Sequence, residues 1–228
     1  MAAEVTGIYL AAGASRRMGR SKLSIELGDG VKLGALALEA ALQSELNRLI
    51  VVTRWGDAGD WSPESFTRAV KDGRGFRTVC ADAELGMSRS LQCGLRAAEA
   101  GGRPDAVMVL LGDQPFVGKE LISRLVHAFR TAEDGCDYCA ALHRAVPRPP
   151  VLLARTMFDA VKGLDGDEGA RSLLRLKEYR GMLLEDTAPE RFWDADTPEN
   201  AEEIRVFFSK VHVRYMYTCT TSILKFSL

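Results

Sequence analysis

Leu10-Ala11-Ala12-Gly13-Ala14-Ser15-Arg16-Arg17-Met18-Gly19-Arg20-Ser21-Lys22 follows directly on the apolar run Val5–Leu10, and its reading decides the fold. A β-type run that opens at once into a short glycine-bearing loop with several cations presents backbone N–H groups and positive charge together. The ligand that needs both is a polyphosphate. A Walker A loop, Gly-x4-Gly-Lys-Ser/Thr, does not match, because five residues lie between Gly13 and Gly19 and Lys22 stands three positions past Gly19. The dinucleotide fingerprint Gly-x-Gly-x-x-Gly fails as well, since Ser15 stands where its second glycine belongs. The loop therefore reads as a phosphate cradle of another kind, its cations supplying positive charge beside the free amides.

Outward from this loop, apolar runs at residues 49–53, 76–80 and 107–111 alternate with segments of helical spacing at 33–44, 88–100 and 119–131. That alternation predicts an α/β fold: a mostly parallel sheet with helices on both faces. Ligands of such sheets bind beyond the carboxyl ends of the strands. Gly13 and Asp113 each follow a strand, so two loops a hundred positions apart are expected at one crevice. Asp113 comes after a glycine and an apolar run, which sets a carboxylate at the mouth of that crevice and not on a helix face.

Residues 54–63, rich in Gly, Asp and Trp, and residues 143–150, with Pro147, Pro149 and Pro150, read as loops. Residues 206–228 contain no Asp or Glu and are β-prone through Tyr215, Tyr217, Thr218, Thr220 and Thr221. An added strand, an oligomer contact and a disordered tail from a shifted reading frame all stay open for this stretch, which is set apart from a main domain at residues 1–205.

With 228 residues the chain is long enough for one sizeable domain. A net charge of −1 provides no global basic field, so a nucleic-acid partner is not expected. Met1-Ala2-Ala3-Glu4 lacks the cationic start of a signal peptide and no apolar run reaches membrane-span length, so no membrane partner and a cytoplasmic location are expected. Five cysteines at irregular spacing argue against a disulfide framework. Cys136-x-x-Cys139, with only His143 nearby, reads as free thiols and not as a zinc site.

The opening stretch resembles the Leu-Ala-Ala-Gly-x-Ser-x-Arg-Met-Gly-x-x-Lys signature of the MobA-like nucleotidyltransferases, and within them it is most similar to the molybdenum cofactor cytidylyltransferases. Gly112-Asp113-Gln114-Pro115 and Asp194-Ala195-Asp196-Thr197-Pro198-Glu199 resemble two further segments of that family in the same order, as do residues 86–95 and 164–171. The resemblance covers about residues 5 to 205. It implies a single-domain, doubly wound (Rossmann-like) sheet of the nucleotide-diphospho-sugar transferase type. It also implies an Mg2+-dependent transfer of CMP from CTP to molybdopterin carrying molybdenum, with a xanthine dehydrogenase-type client.

Carried over residue by residue, the resemblance implies that Leu10, Ala11, Ala12, Gly13, Ser15, Arg17, Gly19 and Lys22 bind the nucleotide, Lys22 and Arg17 being catalytic. It gives Asp113 and Asp196 the Mg2+, with Asp194 a weaker candidate, and sets Gly86, Ser88 and Ser90 against the base. Met87, Leu91 and Leu95, at a spacing of four, are expected to face the core. Gln114 and Arg171 fall on the acceptor side, where a guanidinium suits a terminal phosphate. The Gly-Asp-Gln-Pro form favours CTP, because the guanylyl branch carries Gly-Cys-Asp-x-Pro there. The resemblance departs at Arg148-Pro149-Pro150, where many cytidylyl relatives have Gly-His-Pro. Asp196-Thr197-Pro198-Glu199 also reads as a helix start, capped by Asp196 or Thr197 with Pro198 at the first helical position.

Overall fold

The computed structural model describes residues 2–13 and 21–223, with the side chains of the final helix described as far as residue 211. Strand β1 (Val5–Leu10) is followed by a 3-10 turn at Lys22–Ser24, the short strands β2 (Glu26–Gly28) and β3 (Val31–Lys32), helix α1 (Leu33–Leu42) and strand β4 (Arg48–Arg54). Then come α2 (Glu64–Lys71), β5 (Gly75–Cys80), α3 (Met87–Ala100), β6 (Ala106–Leu111), α4 (Lys119–Thr131), β7 (Tyr138–His143) and β8 (Val146–Ala154). The chain ends with α5 (Phe158–Lys162), α6 (Ala170–Leu173), β9 (Gly181–Glu185) and α7 (Pro198–Ile223).

A seven-stranded sheet in the order β5-β4-β1-β6-β8-β7-β9 carries the molecule. β1 pairs in parallel with both β4 and β6, and β4 in parallel with β5. Only β8 runs against its neighbours β6 and β7, while β9 is parallel to β7. The chain winds outward from β1 through β4 to β5 and returns to β6, so the strand order reverses between β1 and β6. In open α/β sheets that reversal leaves a crevice beyond the carboxyl ends of the two strands.

Period-two burial shows why these runs make strands covered on both faces. Val5 and Tyr9 of β1, with Ala106, Met108 and Leu110 of β6, point into a core shared with α1, α4 and α7. Ile8 of β1, with Val107 and Val109 of β6, points into a second core shared with α3, α5 and α6. Leu91 and Leu95 of α3 lie fully buried there. Gly94 between them lets the helix approach β1 and β4, since a Cβ at that position would collide with the Ile8 side chain.

Two of the expected loops hold more structure than their composition indicates. In residues 54–63, Trp61 is 1 % exposed, stacks on Tyr9 with ring centroids 6.0 Å apart and donates its indole N–H to the Asp57 carboxylate. Residues 143–150 are not a loop: β7 runs to His143, Arg144 and Ala145 make the turn with φ of 49° and 60°, and β8 begins at Val146. The prolines fit because β8 pairs with β6 only from Val151 onward. Pro147, Pro149 and Pro150 precede the first β6–β8 pair, where a missing N–H breaks no bond to β6.

Residues 206–223 continue α7 and form no strand, so the β-prone composition is overridden. A helix already capped and packed through Ala201, Ile204 and Phe208 propagates at little cost per residue. Among the described residues, no helix is long and apolar enough to cross a membrane. Cys136 and Cys139 are free thiols with their Sγ atoms 3.5 Å apart.

Candidate active site

Beyond the carboxyl ends of β1 and β6 lies a cleft of about 480 Å3. One rim is Leu10, Ala11, Ala12 and Gly13 from the end of β1, with Lys22 from the following 3-10 turn. The opposite wall is Gly86, Met87 and Ser90 at the start of α3, joined by Gly166 and Asp167, while Asp113 and Asp196 close one end. Ser15, Arg17 and Gly19 lie outside the described residues.

Local chemistry fixes each wall. Ala11 N–H donates to Val52 O at 2.9 Å, so β1 keeps its register up to the loop and amide donors to a ligand begin beyond that residue. Gly112 N–H donates to Leu10 O at 3.0 Å and ties the end of β6 to the end of β1. The buried Tyr9 hydroxyl donates to Gly34 O at 2.8 Å and braces the same floor; burial first, with the Asp113 charge, pushes its pKa far up. Leu23, buried at 5 % exposure, anchors the turn from which Lys22 reaches out.

Lys22 Nζ stands 2.5 Å from Asp113 Oδ2 and 3.1 Å from Asp196 Oδ1. Burial pulls the pKa of this ammonium down, but the charges and hydrogen bonds of the two carboxylates outweigh it and leave the pKa above the ordinary lysine value. Ala195 N–H donates to Asp113 O at 3.0 Å, so the segment bearing Asp196 is pinned by its backbone to the segment bearing Asp113. Asn200 N–H donates to Thr197 Oγ1 at 3.2 Å: Thr197 is the cap of α7 and Pro198 its first residue, which leaves the Asp196 side chain to Lys22.

The remaining expected site residues are placed as follows. Gly86 has φ of +127°, and a Cβ there would run into Gly166 O, so glycine is required where α3 meets the Gly166 turn. Ser88 is fully buried behind the wall, and both its amide and its hydroxyl donate to Gly166 O, at 3.1 and 2.7 Å. Met87, the first residue of α3, departs from the core-facing expectation: it is 40 % exposed and lines the cleft. Gln92, unremarked in the sequence, donates to the carbonyls of Lys162 and Leu164 at 3.0 and 2.8 Å and steadies the approach to Gly166. Segment 164–171 meets the cleft through Gly166 and Asp167, while Arg171 is exposed on α6 and is not part of the cleft lining. Gln114 is buried and donates to Asp194 Oδ1 at 2.7 Å. Asp194 has a raised pKa, from burial first and then from the charges of Asp113 and Asp196, against the opposing bond from Gln114 and the charge of Arg148.

Such a cleft has a cation on one rim, two carboxylates on that cation, and opposite them a mixed wall of Gly86, Met87, Ser90, Gly166, Glu84 and Asp167. The profile of the MobA-like NTP transferase domain matches residues 7–182. The chain is 36% identical over 201 residues to the purine catabolism protein PucB of Bacillus subtilis, covering 87% of this chain and 95% of that protein. It is 31% identical over 203 residues to the molybdenum cofactor guanylyltransferase of Rhodobacter capsulatus, covering 86% and 92% respectively. In three dimensions it matches a nucleotidyl transferase from Methanothermobacter thermautotroptrophicus with a TM-score of 0.72 at 21% identity, over 91% of this chain and 99% of that one. The sheet is of the nucleotide-diphospho-sugar transferase type.

Proposed function

Because this chain belongs to the MobA-like NTP transferase domain family, we propose that it is an Mg2+-dependent cytidylyltransferase of the cytoplasm that moves CMP from CTP to the phosphate of molybdopterin carrying molybdenum. The observation that carries this reading is the meeting of Lys22 with Asp113 and Asp196 at the end of the cleft.

In the reaction an oxygen of the acceptor phosphate bonds to the α-phosphorus, the bond from that phosphorus to the αβ-bridging oxygen breaks, and the electron pair leaves with pyrophosphate. Little covalent work falls to the protein; positioning and charge neutralisation do most of it. Lys22 is the described cation within reach of the phosphates, and Gly13 gives the triphosphate a rim without side-chain bulk. Two carboxylates that already converge on one cation are a donor set that suits Mg2+, which takes one or two carboxylates and fills the rest of its shell with water and phosphate oxygens. Held by Asp113 and Asp196, Mg2+ would supply charge neutralisation at the reacting phosphate. Gly86 and Ser90 on the far wall offer main-chain and hydroxyl groups to a pyrimidine edge.

The Gly112-Asp113-Gln114-Pro115 form supports CTP, and the likeness to a purine catabolism protein supports a client of the xanthine dehydrogenase type. A guanylyl reading is favoured by one observation, the 31% identity to a molybdenum cofactor guanylyltransferase. Pyrophosphate release by the purified chain with CTP or GTP, Mg2+ and molybdopterin decides between them. CTP-dependent release with transfer of labelled CMP to the pterin is expected. Release with GTP alone moves the assignment to the guanylyl reaction, release only with another phosphorylated acceptor changes the substrate, and tight binding without release makes the chain a carrier.

A further inference from the structure

The corner where α4 hands over to β7 carries thiol chemistry that the cleft does not use. β7 is antiparallel to β8, which is antiparallel to β6, so β7 and β6 run the same way and the start of β7 lies at the end of the sheet opposite the cleft. Cys139 is fully buried in β7, and its backbone is paired on both sides, with Leu152 of β8 and Met182 of β9. Cys136 stands in the loop just before that strand and is half-buried. Their Sγ atoms are 3.5 Å apart, whereas a disulfide needs about 2.05 Å. Asp137, between them, fixes this approach. Its amide donates to Arg180 O and its carbonyl accepts from Ala154 N–H, both at 2.7 Å, while its carboxylate accepts from the Thr156 hydroxyl at 2.6 Å and from Arg180 N–H at 2.9 Å. The frame around the pair is thus tied to the end of β8 and the start of β9, and the free rotation of the Cys136 side chain in its loop is what closes the remaining gap.

The two thiols differ in the way an ordered exchange requires. Cys136 is partly exposed, and the Arg180 guanidinium beside it donates to the carbonyls of Asp134 and Gly135 in the preceding turn. The hydrogen bond from the Cys139 thiol, helped by the Arg180 charge, holds the Cys136 thiol below the ordinary cysteine value against burial and the Asp137 charge. Cys139 has no exposed surface, so a small reagent reaches it only through Cys136. We infer that Cys136 and Cys139 form a redox-responsive dithiol that a small-molecule disulfide oxidises to an internal disulfide, with Cys136 the attacking and Cys139 the resolving sulfur. In the first exchange Cys136 Sγ attacks one sulfur of the small disulfide, whose S–S bond breaks, and the first small thiol leaves with the proton of Cys136. In the second, Cys139 Sγ attacks Cys136 Sγ, the mixed S–S bond breaks, and the second small thiol leaves with the proton of Cys139. Two protein thiols are oxidised to one disulfide while the small disulfide is reduced to two thiols.

The reduced full chain, exposed to glutathione disulfide and quenched with acid, tests this by intact mass and peptide mapping. The native chain should lose two hydrogens and keep no adduct, with the bridge mapped to Cys136 and Cys139, and dithiothreitol should reverse the change. The bridge should form at least about tenfold faster than any modification of the buried Cys80 and Cys93. Cys139→Ala should stop at a glutathione adduct on Cys136, and Cys136→Ser should leave Cys139 unmodified. A native chain that accumulates the adduct on Cys136 with Cys139 still reduced, or that leaves Cys136 unreacted, overturns the dithiol, and this readout does not depend on the folding of either variant. An adduct on Cys139 in Cys136→Ser, with the native circular dichroism retained, overturns the order of attack.

Discussion

Lys22 and Asp113 are 91 positions apart in the chain and 2.5 Å apart in space, as ammonium nitrogen and carboxylate oxygen. The sheet makes that contact. β1 and β6 are hydrogen-bonded in parallel from Val5 and Ala106 to Leu10 and Leu111, so both end at the same level and both loops leave on the same side. Asp196 joins them from a third segment held by the bond from Ala195 N–H to Asp113 O. The charges of the site are thus fixed by backbone pairing, which is stiff.

Lys22→Ala should lower the rate constant for pyrophosphate release by about 10²–10³ while changing nucleotide affinity far less, because the charge it meets grows in the transition state. Steady-state kinetics with a separate nucleotide-binding titration check this. Equal losses in both would make Lys22 a binding group only.

Asp194 gives a pH signature. Its carboxyl has a raised pKa in the fold, so between the unfolded and folded values the native state holds the extra proton and stability falls as pH rises through that window. Asp194→Asn keeps an oxygen for Gln114 and removes the charge. Its melting temperature should exceed that of the native chain at pH 7.5, and the gap should narrow as pH is lowered toward 4.5, as followed by circular dichroism.

Gly86→Ala should destabilise the protein by about 1–3 kcal/mol in urea unfolding, since a φ of +127° strains any side chain and the added methyl meets Gly166 O. The loop bearing Asp167 would be displaced with it, so nucleotide affinity should fall as well.

Thr197→Ala removes the cap of α7 and should cost about 1 kcal/mol of stability. Asp196 lies next to the cap, so the same variant should weaken metal-dependent nucleotide binding. Thr197→Ser, which keeps the hydroxyl, should restore both measurements.

Much of the frame was legible in the chain because its signals are local. The run Val5–Leu10 is β1 as printed in the sequence, segments 88–100 and 119–131 fall on α3 and α4, and the expected strand at 107–111 is β6. Apolar periodicity and glycine placement are short-range properties, and short-range physics sets them. Composition misleads or leaves a choice open where a neighbour overrules it. Pro147, Pro149 and Pro150 sit in a strand because the pairing of β8 with β6 begins only at Val151. Residues 206–223 stay helical because α7 was already nucleated. Met87 faces the cleft although Leu91 and Leu95, on the same stripe, face the core.

The sequence by itself determined the strand-and-helix alternation, the glycine-bearing loop after β1 and the presence of a lysine and two aspartates in suitable motifs. Tertiary structure alone decided that those three charges touch, that Ser88 and Gln92 are spent on holding the Gly166 turn, and that Gly166 and Asp167 reach the cleft where Arg171 does not. The reason is physical: a side chain's chemistry is written at its own position, but its partners are set by strand pairing and close packing between segments far apart in the chain.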